Sequence, residues 1–240
     1  MDEGVLLASK YAFSPNHLKY CGTESFCKTL ETFNPDLLAS ELSNFPVHYG
    51  YLDLIAKSNS LNPFDLDVVR AFWTGNSLLE NVSAQDIKTF LSVLLKDNPQ
   101  KAHFLSNNLP PGILVHHNFN ALYVNFVTQK VPKTMENFDN CSVTSGRVLA
   151  VDKNCATVKR NRLALSKNGD YVIEESKETI DLVRDGFSFV DPSSLSEGDF
   201  ISIHWKMAVD ILDHSTLKNL EKYTKKNLVA LNNAYWGKID

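Results

Sequence analysis

The apolar period of this 240-residue chain changes once, near Phe138, from about 3.6 residues to about 2. A 3.6-residue repeat buries one face of a helix, and a 2-residue repeat buries one face of a strand. The two halves therefore cannot share one architecture. The expectation is an α+β protein: a mainly helical unit over residues 1–137, then over 138–240 a small OB-like antiparallel β-barrel with a C-terminal helix.

Local signals fill in this frame. Asn34-Pro35, Asn62-Pro63 and Asn98-Pro99 each set a capping acceptor before a proline at the first helical position, so each is predicted to open a helix. Ser83-Ala-Gln-Asp86 has the form of a capping box. It leads into Ile87, Phe90, Leu91, Leu94 and Leu95, which share one helical face. Tyr51 to Ile55 and Leu66 to Trp73 suit two buried helices. Residues Ile113–Thr128 are aromatic and β-branched with asparagines between, and read as a strand. Beyond Phe138, strands are predicted over Val143–Val151, Ala156–Leu165, Tyr171–Glu174, Thr179–Val183 and Phe200–Trp205. Asn168-Gly169 supplies a hairpin turn, and Ser215 a cap for the last helix.

Charge and composition then exclude function classes. Lys and Arg number 24 against 28 Asp and Glu, a net charge of −4. That balance argues against nucleic-acid partners and against an anionic membrane surface. No apolar run nears the roughly 20 residues of a membrane helix. Met1-Asp2-Glu3 lacks the basic flank of a signal peptide. Four cysteines (Cys21, Cys27, Cys141, Cys155) are too few for a disulfide scaffold of this size. The expectation is a soluble cytoplasmic protein with reduced thiols.

One constellation carries chemistry. Cys141-Ser-Val-Thr-Ser-Gly146 opens a strand, Ala156-Thr-Val158 lies in a second, and Gly198-Asp-Phe-Ile-Ser-Ile-His204 leads to Ala208. In order and spacing, residues 139–230 resemble the HypC/HupF family of small hydrogenase assembly chaperones. The resemblance implies a β-barrel that carries an iron centre, bound transiently, towards a nickel–iron hydrogenase. Its partners would be hydrogenase maturation proteins or a hydrogenase large subunit. It maps the family's essential cysteine onto Cys141, as metal ligand, and the histidine of its Gly-Asp strand onto His204. A thiolate is a soft anionic ligand and an imidazole suits the position beside it. Two positions depart from the pattern. The family's cysteine sits at a processed N-terminus, whereas 140 residues precede Cys141, so no free α-amine lies beside the thiol. The family's proline before the glycine is Ser145.

Other residues are weighed beside these. His116 and His117 are secondary candidates. On a strand such neighbours point to opposite faces, so they would not share one metal. His48, near a helix start, is a third, held neutral by the helix dipole. Cys21 and Cys27 have no standard zinc spacing and read as helix-core residues, and Cys155 as strand core. Lys159-Arg160-Asn-Arg162 reads as a solvated strand face balanced by Glu174, Glu175 and Glu178. The leading expectation is a HypC-like accessory factor rather than an enzyme. The alternatives are a thiol enzyme with a Cys141 nucleophile and a His204 base, and an OB-like nucleic-acid binder.

Overall fold

The computed structural model describes residues 2–234. The last six residues of the expected second half lie outside them. Helices fill the chain up to Cys141: α1 (Asp2–His17), α2 (Phe26–Leu30), α3 (Pro35–Ser43), α4 (Pro46–Asn59), α5 (Leu66–Trp73), α6 (Ala84–Leu94) and α7 (Pro99–Asn107). Three predicted starts carry their caps. The Asn34 side chain accepts from Asp36 N and Leu37 N, Asn98 accepts from Lys101 N, and Ser83 with Asp86 forms the reciprocal box. Asn62-Pro63 does not open a helix. The Asp65 carboxylate accepts from Asn62 N at 3.0 Å and closes a turn, so α5 begins at Leu66.

The predicted strand at 113–128 is helical instead: α8 (His117–Phe119), a π-turn (Asn120–Val124) and α9 (Asn125–Thr128). Val115, Phe119, Leu122 and Tyr123 are buried, and their packing overrides a β-prone composition. The asparagines that looked like interruptions are partners. Asn118 Oδ1 accepts from Asn227 Nδ2 at 2.7 Å, and Asn125 Oδ1 accepts from Val131 N at 2.9 Å. After α10 (Met135–Cys141) the strands begin. Cys141 thus ends a helix rather than opening a strand.

The strands are β1 (Thr144–Val151), β2 (Cys155–Leu165), β3 (Tyr171–Asp181), β4 (Phe200–His204) and β5 (Met207–Ile211). They close into a ring in the order β1-β2-β3-β5-β4. The ring is antiparallel except at one seam, where β3 meets β5 in parallel at Asp181↔Met207. The two strands expected between Tyr171 and Val183 are one. Their exposed middle pairs across to β2, with Lys159 Nζ 2.8 Å from Glu175 Oε2. Gly169 alone takes positive φ in the turn before β3. Gly146 is required by space: a Cβ there would lie 2.7 Å from the Ile203 side chain across the ring.

The ring interior is a closed apolar cluster built on Val148, Val158, Ile180, Ile201 and Ile203. A larger core runs from α1 and α5 through Phe119 to Trp205, Met207 and Leu220. It joins the helices to the outside of the ring. The last helix, α11 (His214–Asn233), is capped by Asp213 rather than Ser215: Asp213 Oδ1 accepts from Thr216 N at 2.7 Å. Among the described residues no helix is long and apolar enough to cross a membrane.

Candidate metal centre

His204 ends β4, and the two residues after it turn the chain into β5. Trp205 and Lys206 both adopt left-handed backbone, at φ 52° and 59°. A two-residue hairpin asks for this conformation and ordinarily fills it with glycine or asparagine. Here the surroundings hold it. Trp205 N donates to Asn140 O at 2.8 Å, Arg184 donates to Trp205 O at 3.0 Å, and the indole stacks on Tyr20 with centroids 4.7 Å apart. Strain of this kind collects at functional sites.

Cys141 arrives on α10, which a buried ion cluster docks onto the ring. Arg160 is fully buried, not part of a solvated face. It shares an inward register with Val158, two residues before it. Its guanidinium grips both Asp139 oxygens at 3.0 and 3.1 Å, Glu178 at 3.0 Å and Thr144 Oγ1 at 2.9 Å. Asp139 also accepts from Leu163 N at 2.8 Å. The last residues of α10 are thereby fixed beside the β4–β5 turn.

The helical half supplies the third group. His117 starts α8 with its ring stacked on Trp73 at 4.3 Å and perpendicular to His204 at 5.1 Å. One ligand atom each from His117, Cys141 and His204 lie within 4.8 Å of one another, and all three residues are buried. These elements are distant in sequence and converge only in the fold. His116 points elsewhere: it is buried and does not line this cavity. His48 does line it, from α4, but stands outside the close trio.

One hydrogen bond and one further close contact position His204. Its Nδ1 lies 2.9 Å from Tyr11 O on α1, and its Nε2 lies 3.1 Å from Cys141 O. Burial lowers its pKa to about 4, so the ring is neutral and has one N–H. We assign the proton to Nδ1, the closer contact. Metal-binding histidines commonly donate their remote N–H to a carbonyl in this way. The Nε2 lone pair then faces Cys141, and a cation there would relieve its approach to the carbonyl oxygen. Tyr11 is itself held, by Ser202 at 2.9 Å and by stacking on Trp73 at 4.8 Å.

The surroundings are short of partners. His117 Nδ1, both nitrogens of His48, and the indole nitrogens of Trp73 and Trp205 are buried without a hydrogen bond. Buried polar groups are ordinarily hydrogen-bonded, and the described residues supply these with no partner. Burial depresses His48 to about 3 and His117 well below the ordinary histidine value. Burial, with a smaller contribution from the charge on Cys21, pushes the Cys141 thiol up to about 12. The donor set is therefore two neutral imidazoles and a protonated thiol at neutral pH. A metal binding there would displace the thiol proton. One thiolate and two imidazoles suit iron, zinc, nickel or copper rather than magnesium or calcium.

A cavity of about 310 Å³ adjoins the trio. Its deep wall is His48, Trp73, His117, Cys141, His204 and Trp205. Its exposed lining residues include Cys21 and Lys130, which mark the mouth. Cys21 is thus exposed and Cys27 half-buried with its Sγ donating to Asn16 Oδ1, so neither is the core residue expected. Cys155 is likewise half-buried at the start of β2.

Two features of the site were missed in reading the sequence. The Trp205-Lys206 turn has no glycine to announce it. The Asp139–Arg160 pair had a signal, because an arginine in register with Val158 must face inward and needs an acid. No curated protein and no solved structure matches the chain. The chain belongs to the family described as "Family of unknown function (DUF6390)", whose model matches residues 1–237, across both the helices and the strands.

Proposed function

We propose that this protein is an accessory factor that takes up a metal centre on Cys141, His117 and His204 and hands it to a metalloenzyme. The observation that carries the proposal is the convergence of three buried ligand atoms within 4.8 Å, beside a cavity with orphaned donors. Three protein ligands and an adjacent cavity leave the metal accessible for exchange, unlike a closed structural site. The metal centre is cargo, and iron is the cargo implied by the likeness to the HypC/HupF chaperones. The five-stranded ring is read here as an OB-like barrel, and the closeness of Cys141, at the end of α10, to His204, at the end of β4, supports this reading. Nickel–iron hydrogenase maturation is the setting it points to, in the cytoplasm, with maturation proteins or the large subunit as partners.

The helical half gains a role in this reading. It contributes His117 as a ligand and the Tyr11 carbonyl that orients His204. His117 would compensate for the α-amine that an internal cysteine lacks. The thiol-enzyme alternative needs a Cys141 thiolate beside a protonated His204, and burial pushes both groups the other way. A nucleic-acid reading loses the central cation of its basic strand, because Arg160 is buried and paired.

The test is anaerobic purification from native cells, followed by iron analysis and identification of copurifying proteins. The expected result is bound iron together with a metalloenzyme precursor or its assembly proteins, both lost in Cys141→Ser. Metal-free protein without such partners, or unchanged capture by Cys141→Ser, would overturn the proposal.

A further inference from the structure

The cavity joins two cysteines of opposite character. Cys141 is buried at its floor, whereas Cys21 belongs to an exposed loop between α1 and α2 and contributes to its mouth. That loop is shaped rather than loose. Asn16 Nδ2 donates to Cys21 O at 2.9 Å and to Thr23 O at 2.8 Å, and Gly22 takes φ 86°, with a Cβ there colliding with Phe45. Tyr20, the residue before, stacks on Trp205 of the strained turn. The backbone of residues 20–22 is thereby pinned against the site; Cys21 is exposed as a residue, while burial of its sulfur at the cavity mouth pushes the thiol up to about 12.

Two further observations connect mouth and floor. Cys21 and Cys141 both line this one cavity. His48 is 8% exposed, lines the same cavity, and has neither ring nitrogen hydrogen-bonded. Its two unused donor or acceptor positions sit in a wall otherwise built of aromatic rings, with Trp73 at 5.4 Å and Phe72 at 5.8 Å. A buried imidazole left so is poorly explained by packing alone.

We propose that the cavity is a metal conduit in which Cys21 receives or releases the metal at the mouth, His48 meets it within, and Cys141 with His117 and His204 holds it at the floor. The proposal rests on the metal-carrier reading given above and adds its route. Each transfer is a ligand exchange without change of oxidation state. A metal–sulfur bond forms at the receiving cysteine as its thiol proton leaves to solvent. The bond to the departing ligand breaks, and a departing thiolate takes up a proton. A thiol that acts only during passage lowers the barrier in both directions and leaves the end states alone. Its removal must therefore slow loading and unloading equally.

The experiment uses the full chain and cobalt(II) as the probe. Stopped-flow absorbance follows loading, and a chelator follows removal, in wild type, Cys21→Ser and His48→Phe. For Cys21→Ser both rates are expected to fall by about 10-fold, the lower end of what outer groups contribute at metal sites, with the equilibrium affinity changed by less than about 3-fold. His48→Phe is expected to slow both rates in the same direction by a smaller factor. Unchanged rates in Cys21→Ser overturn the conduit while leaving the carrier reading intact. An affinity loss above 10-fold with unchanged loading also overturns it, since Cys21 would then be a permanent ligand. Wild-type protein that takes up no cobalt overturns the carrier reading, and the conduit with it.

Discussion

The interior of the strand ring and the seam where the helices meet it are both buried, yet they are built on opposite terms. The apolar cluster inside the ring is built of aliphatic side chains packed around Gly146, with Arg160 at its edge turned to the Asp139 carboxylate. The seam gathers four buried histidines, a buried cysteine, two tryptophans and an Arg–Asp pair. Apolar packing stabilises a fold without specifying chemistry, whereas buried polar groups are costly unless satisfied. That several groups in the seam find no partner among the described residues teaches that the seam carries a stability cost the ring interior avoids.

The comparison can be broken most strongly with pH. His48, His116 and His204 are lowered to about 3, 4 and 4, and His117 further still, all chiefly by burial. An unfolded histidine titrates near 6.5, so below that pH the unfolded state binds more protons and the fold loses stability. Each histidine contributes a slope of up to about 1.4 kcal/mol per pH unit between roughly pH 6.5 and pH 4. Urea unfolding across that range should show a steep fall, and His48→Phe should remove close to one proton from the slope. An unchanged slope in that variant would show that His48 is not held neutral.

Next comes the ion cluster. Arg160→Ala leaves Asp139 buried without its cation and should cost about 3–5 kcal/mol in urea unfolding. Loosening α10 should also weaken metal uptake. A loss below 1 kcal/mol would show that Asp139 finds water or a proton instead.

A third variant sharpens the contrast from the other side. Val158→Ala, inside the ring, should cost roughly 2 kcal/mol through lost burial and a residual cavity. Its metal affinity should match wild type, because no ligand rests on that side chain. Reduced affinity would mean that ring packing and site geometry are coupled.

The smallest effect is at the strained turn. Lys206→Gly should stabilise by up to about 1 kcal/mol, as relief of left-handed strain outweighs added backbone freedom. Lys206 is exposed and its contact to Glu136 is 3.5 Å, which contributes little. A lower thermal midpoint would show that this ion pair outweighs the strain.

The two regions also differ in how far they were legible in the sequence. The β1 and β2 positions follow from alternation, and the capping box at Ser83 from local chemistry. Cys141 and His204 were reachable because each lies in a recognisable string. His117 was visible only as one of a pair. The segment that carries it reads as a strand, since the contact of Asn118 with Asn227 spans more than a hundred residues. Long-range polar contacts leave no periodic trace, and the seam is made of them.

The central claim is that His117, Cys141 and His204 bind one metal together. A cobalt(II) titration of the full chain followed by optical absorption tests it most directly, because a thiolate ligand gives cobalt a charge-transfer band that imidazole alone does not. The account predicts saturation at one equivalent with that band present, its loss in Cys141→Ser, and weakened binding in both His117→Ala and His204→Ala. A titration with no thiolate band, or one that Cys141→Ser leaves unchanged, would contradict it.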